Sequence, residues 1–118
     1  MPQSRLEGPY SPFLAKWIVR PRSAGVFVLA NAAGEVLYVG ASGYDLGNRI
    51  EQMGAPARYA RFYFEYAGSR DEVYRQECNY YHRFNPPDNR SHPAVPAGSR
   101  GVCPVEGCPS SLSWLSGN

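Results

Sequence analysis

The sequence predicts an α/β (α+β) fold: a small three-stranded antiparallel sheet flanked by helices, followed by an irregular tail. Three observations carry this. Residues 25–29 and 36–40 are short apolar runs rich in Val, Leu and aromatics, and the Gly-containing turn at 31–34 between them reads as a hairpin. Residues 61–66, Arg-Phe-Tyr-Phe-Glu-Tyr, alternate apolar with more polar side chains and read as a third strand. Leu46, Ile50 and Met53, and later Val73, Tyr80 and Phe84, recur at helical spacing.

The chain has 118 residues, enough for one modest core, and 43% hydrophobic residues suit a globular domain. A net charge of +2 is compatible with a polyanionic partner and is weak evidence for one. No apolar run reaches the roughly 18 residues of a membrane span, and no signal-peptide pattern opens the chain. The expected location is cytoplasmic, with no membrane partner. Three cysteines, an odd number, suit a reducing compartment better than a disulfide framework, so a Cys103–Cys108 disulfide is not the expected state.

In order, residues 1–24 are expected to form an irregular lead-in containing Pro2, Gly8, Pro9 and Pro12 and a short helix near 13–19. That helix would pack Leu14, Trp17 and Ile18 before Pro21 stops it. The hairpin is apolar on both faces, which predicts cover on each side and a central position. Looping out the four turn residues pairs Ala30 with Glu35 and puts Phe27 across from Tyr38. Ser42 or Asp45 can cap the following helix, and Arg49 lies on the flank of its apolar stripe. Gly54 and Pro56 close it. Ser69 and Glu72 form a capping box for a helix over 70–84, which Pro86 and Pro87 terminate. The core is assigned to residues 25–93, and the Pro-, Gly- and Ser-rich stretch 94–118 to an irregular tail.

One residue breaks the pattern of the second long helix. At about 100° per residue, Glu77 falls within the core-facing stripe of Val73, Tyr80 and Phe84. A carboxylate there is costly unless it meets a cation. Two readings stay open: an ion pair with Arg49 or another arginine, or a ligand for Mg²⁺ or Mn²⁺, which favour oxygen donors.

Gly25-Val26-Phe27, then Tyr38-Val39-Gly40, Arg49 on the next helix, Glu77 on a later one and Asn89 beyond it make an ordered set that resembles the GIY-YIG nuclease superfamily. Any one of these alone would read as a sheet tyrosine, a surface arginine or a turn asparagine. The resemblance spans residues 25 to about 93 and implies a metal-dependent DNA endonuclease using one Mg²⁺ or Mn²⁺ ion. It implies that Tyr38 activates water or acts as the nucleophile, that Arg49 holds the scissile phosphate, that Glu77 holds the metal, and that Asn89 braces the site by hydrogen bonds. DNA is the implied partner, and two copies on DNA, a homodimer, would allow both strands to be cut. Because a phenol ordinarily titrates near pH 10, Arg49 and a cation are expected to make the Tyr38 phenolate accessible. Three positions depart from the family pattern: Phe27 where it has tyrosine, Ala41 where lysine is frequent, and Met53 where histidine or tyrosine is frequent. Each removes a polar group, so the alternative is a catalytically degraded binding module contacting nucleic acid through Arg49, Arg58, Arg61 and nearby aromatics.

A second metal site is also readable. Cys78 and His82 are one helical turn apart, about opposite the Glu77 stripe, and Cys103 and Cys108 lie downstream. Together they could bind a structural zinc ion that clips the tail to the helix, with His92 able to stand in for His82. The ordinary alternative is a small buried cysteine, a helix-surface histidine and two thiols near the chain end. A zinc-stabilised interaction domain, with partner contacts on the tail, is a third functional reading.

Overall fold

The structure, a computed structural model, describes residues 5–95, 103–105 and 108. The order of elements is β1 (Glu7–Tyr10), a 3₁₀ turn (Pro12–Leu14), α1 (Ala15–Ile18), β2 (Gly25–Ala30), β3 (Val36–Ser42), α2 (Leu46–Met53), β4 (Arg61–Tyr66) and α3 (Arg70–Phe84). The expected mixed fold is present, but the antiparallel sheet has four strands, in the order β1-β4-β2-β3. The extra strand is Glu7–Tyr10, within the stretch expected to be an irregular lead-in. Its Gly and Pro give no strand signal in the sequence; an edge strand tolerates proline because one side of its backbone needs no partner. There β1 pairs with β4, and the Tyr10 ring packs beside Phe62 and Phe64.

The hairpin is central on one side only: β2 is wholly buried between β4 and β3, whereas β3 is an edge strand. Its register also differs from the expectation. Ala30 pairs with Val36, an irregularity follows between Leu29 and Ala30, and Leu29 then faces Tyr38 while Phe27 faces Gly40. The cause is local. The Asn31 side-chain oxygen accepts the N–H groups of Ala33 and Glu35, closing a longer loop than counting supposed. The total slip is two residues, so side-chain parity survives and Phe27 remains on the face of Tyr38.

Two apolar layers hold the sheet. On one face Phe27, Leu29, Phe62 and Phe64 meet Ala15, Val19, Leu46 and Ile50 of the helical segments. On the other, Val26, Val28 and Val39 meet Val73 and Tyr80 of α3. The first short helix uses a different face from the expected one: Ala15 and Val19 are buried, while Leu14 and Trp17 are exposed and Ile18 is half-buried. Asp45 is the cap of α2, its side chain accepting the Asn48 N–H, while the Ser42 hydroxyl accepts the N–H groups of Tyr44 and Asp45. Ser69 caps α3 by accepting the Glu72 N–H, and Asn85 in the left-handed region ends it before Pro86. The back of α3 carries a third cluster, Tyr74 and Cys78 with Cys103, Cys108 and Val105.

Candidate functional site at the open edge of the sheet

Strand β3 presents Tyr38 on the face where α2 packs. The Phe27 ring lies 6.1 Å from the Tyr38 ring between centroids, tilted by 41°. Gly40 leaves room for both: a Cβ there would come within 2.5 Å of the Phe27 ring and 2.8 Å of the Tyr38 ring. The glycine after Tyr38 is therefore a steric requirement of the two aromatics. Phe27 is fully buried, so the position that lacks a hydroxyl is a diagonal neighbour of Tyr38, not the residue opposite it.

Arg49, on the exposed flank of α2, lies near enough to the Tyr38 phenol to favour its ionised form. Glu77 of α3 acts electrostatically on the same phenol, and Arg49 acts on Glu77. The three residues, far apart in sequence, are thus within electrostatic reach of one another. Glu77 is in neither of the close ion pairs Lys16–Glu51 and Arg58–Asp88. Burial pushes the Glu77 carboxyl up to about 7, with Arg49 pulling the other way. Burial also raises the Tyr38 phenol; Arg49 opposes this, but Glu77 adds to it. The expectation that Arg49 eases phenolate formation is met in direction and outweighed in magnitude by desolvation.

Asn89 closes the edge of the sheet. The Val39 N–H donates to Asn89 Oδ1 at 2.8 Å, and Asn89 Nδ2 donates to the Val39 carbonyl at 2.9 Å. One side-chain amide thereby replaces a neighbouring strand beside Tyr38. The adjacent Asp88 N–H donates to the Leu37 carbonyl. Asp88 also accepts from the Tyr59 hydroxyl at 2.6 Å and from Arg58 at 3.0 Å, and these contacts hold its carboxyl below the usual range. Arg58, expected in the alternative reading to meet nucleic acid, is engaged by Asp88 and Tyr59.

Beside Arg49 opens a hollow of about 300 Å³ lined by Ala41, Tyr44, Asp45, Asn48, Arg49 and Gln52, among others. Ala41 is one of the three departures. Another, Met53, is partly buried against the first core layer, where a more polar side chain would cost desolvation.

A second cluster lies behind α3. One ligand atom each from His82, His92, Cys103 and Cys108 lies within 4.8 Å of all the others, an arrangement that could hold a metal ion. The group differs from the expected ligand set in containing His92; Cys78, fully buried, lies in the same cluster as Cys103 and Cys108 and is hydrogen-bonded with Cys103. No disulfide joins any of the three cysteines. The sequence offers His92 only as a stand-in for His82; the fold brings the two side by side.

Comparison with protein-family models, with curated proteins and with solved structures finds no match. Among the described residues no helix is long and apolar enough to cross a membrane.

Proposed function

We propose that the protein is a divalent-metal-dependent DNA endonuclease of the GIY-YIG kind, with Tyr38, Arg49 and Glu77 carrying the chemistry and Asn89 bracing the strand that presents Tyr38. The observation that supports this most is that a phenol, a guanidinium and a desolvated carboxylate from three separate elements lie within electrostatic reach of one another. Glu77 suits one Mg²⁺ or Mn²⁺ ion: it is an oxygen donor drawn out of water, near Arg49 but not in a close ion pair with it. The ion, when bound, polarises the phosphate and stabilises the leaving oxygen. Arg49 orients the scissile phosphate and offsets the charge that grows on its oxygens, a task suited to a planar guanidinium. Tyr38 takes the proton of the attacking water, and its pKa must fall from the raised value for this to happen. Asn89 keeps Val39, and with it Tyr38, in register at an edge that would otherwise fray. In the same reading the protein is cytoplasmic, two copies meet on DNA, and the cluster behind α3 takes a structural zinc ion.

A second reading is favoured by the raised Tyr38 phenol together with Phe27 and Ala41: a nucleic-acid-binding module on the same frame with its proton handling lost. Nicking of supercoiled plasmid in Mg²⁺ or Mn²⁺ separates the two. The wild type is expected to nick, with Glu77→Ala, Tyr38→Phe and Arg49→Ala each slower by roughly 100-fold or more. Cleavage that Glu77→Ala and Tyr38→Phe leave untouched removes the site assignment. Salt-sensitive DNA binding without cleavage selects the module.

A further inference from the structure

We propose that His82, His92, Cys103 and Cys108 form a structural zinc site that ties the C-terminal segment to α3 and, through the loop between the two histidines, holds Asn89 against β3. The four candidate ligand atoms already lie within 4.8 Å of one another. A zinc tetrahedron with bonds of about 2.0–2.3 Å has edges of roughly 3.3–3.8 Å, so side-chain movements of about 1 Å complete it.

Two buried atoms point to a ligand independently of that spacing. Nε2 of His82 and Nε2 of His92 are both buried without a hydrogen-bond partner. An orphaned ring nitrogen is costly, and two in one cluster are a place for a metal to accept both lone pairs. The His92 tautomer agrees: Nδ1 faces the Pro93 carbonyl at 2.9 Å, which can only accept, so Nδ1 carries the proton and the neutral ring offers Nε2. The His82 and His92 rings are 5.2 Å apart between centroids, and His92 also packs on Tyr74 and Tyr81.

Charge is compatible with this set of ligands. Two imidazoles and two thiolates around Zn²⁺ sum to zero, and a neutral centre can be buried beside Tyr74 and Cys78 at small electrostatic cost. The sequence-expected set with Cys78 as a third thiolate would leave a net negative charge there. Cys78, whose thiol is hydrogen-bonded with Tyr74 and Cys103, stands in the wall of the site outside the group of four. Soft thiolates with imidazoles in a closed tetrahedron select zinc over Mg²⁺ or Ca²⁺, which want oxygen.

The position of the site gives it a role. His82 lies in the last turn of α3, and His92 closes the loop in which Asp88 and Asn89 bond to Leu37 and Val39 of β3. A metal joining the two histidines pins both ends of that loop and restricts its opening. The inference is independent of the nuclease reading, because zinc content does not depend on whether DNA is cut.

The test uses full-length protein purified under reducing conditions. One equivalent of zinc is expected, and replacing it with Co²⁺ should give a tetrahedral spectrum with the charge-transfer intensity of two thiolates. His92→Ala and Cys103→Ser should lose the metal, whereas Cys78→Ser should keep both the stoichiometry and the cobalt spectrum. Chelation should raise hydrogen exchange of the Val39 amide by at least about tenfold. A wild type that takes up neither Zn²⁺ nor Co²⁺, or a Cys103–Cys108 disulfide found in its place, overturns the site. Metal loss in Cys78→Ser overturns the ligand set, and unchanged Val39 exchange after chelation overturns the role. Because the cobalt spectrum is read on the wild type, a variant that fails to fold does not blunt the test.

Discussion

Glu77 and Tyr38 each put an ionisable group where water is scarce, and each is displaced toward its neutral form. For Glu77 the consequence for stability has a definite sign. Its folded value near 7 lies above the ordinary 4.5, so the folded chain holds this proton more tightly than the unfolded chain does. The stabilisation is fully present below the ordinary value and is lost as pH rises through about 7. Relative to Glu77→Gln, the metal-free wild type should therefore lose up to about 3 kcal/mol across that window. Urea unfolding of the two proteins at several pH values measures this, and a pH-independent difference would contradict it. Mg²⁺ or Mn²⁺ should restore wild-type stability at the upper end, since a carboxylate that holds a cation no longer gains by taking up a proton.

Strand β3 shows how one side chain can finish an element. Its inner edge pairs with β2, and its outer edge meets Asn89, whose amide supplies a donor and an acceptor to fully buried Val39. Asn89→Ala leaves both Val39 backbone groups unpaired and should cost about 2 kcal/mol or more. Asn89→Asp keeps an acceptor for the N–H but turns a second oxygen toward the Val39 carbonyl, so it should also destabilise the protein. Denaturant midpoints read both. A neutral result for Asn89→Ala would mean that water replaces the amide and that the edge does not need it. Helix α3 serves several layers at once: one face carries Val73 and Tyr80 to the sheet, Glu77 reaches the site, and the back carries Cys78 and His82.

At the scale of the whole molecule, the sheet is closed on one side by β1 and on the other by the Asn89 loop. β1 is short and contains Gly8 and Pro9, yet it covers the edge of β4 and brings Tyr10 onto Phe62 and Phe64. An uncovered strand edge is a template for pairing with another chain. A chain beginning at Ser11 should unfold at lower temperature and associate with rising concentration. Differential scanning calorimetry and light scattering would show this. A truncated chain as stable and monomeric as the full one would make β1 dispensable.

Patterns that depend on neighbours along the chain were already legible in the sequence. The periods of the two long helices, the caps at Asp45 and Ser69, the strand at 61–66 and the inward-facing Glu77 are set by local sterics and side-chain spacing, and the folded chain keeps them. Residues 94–102, 106–107 and 109–118 of the anticipated tail lie outside the described residues, apart from Ala94 and Val95 at its start. What depends on contacts between distant segments was settled only by the tertiary structure. Glu7–Tyr10 is a strand because β4 offers it an edge, not because Gly and Pro favour one. The two-residue slip of the hairpin comes from Asn31 and a local irregularity in pairing, which counting along the chain does not register. His92 joins His82 in the metal cluster because the loop after α3 folds back onto the helix, whereas the sequence offered the two histidines only as alternatives. The electrostatic coupling of Tyr38, Arg49 and Glu77 is of the same kind: it depends on how the sheet packs against α2 and α3, which backbone periodicity does not fix.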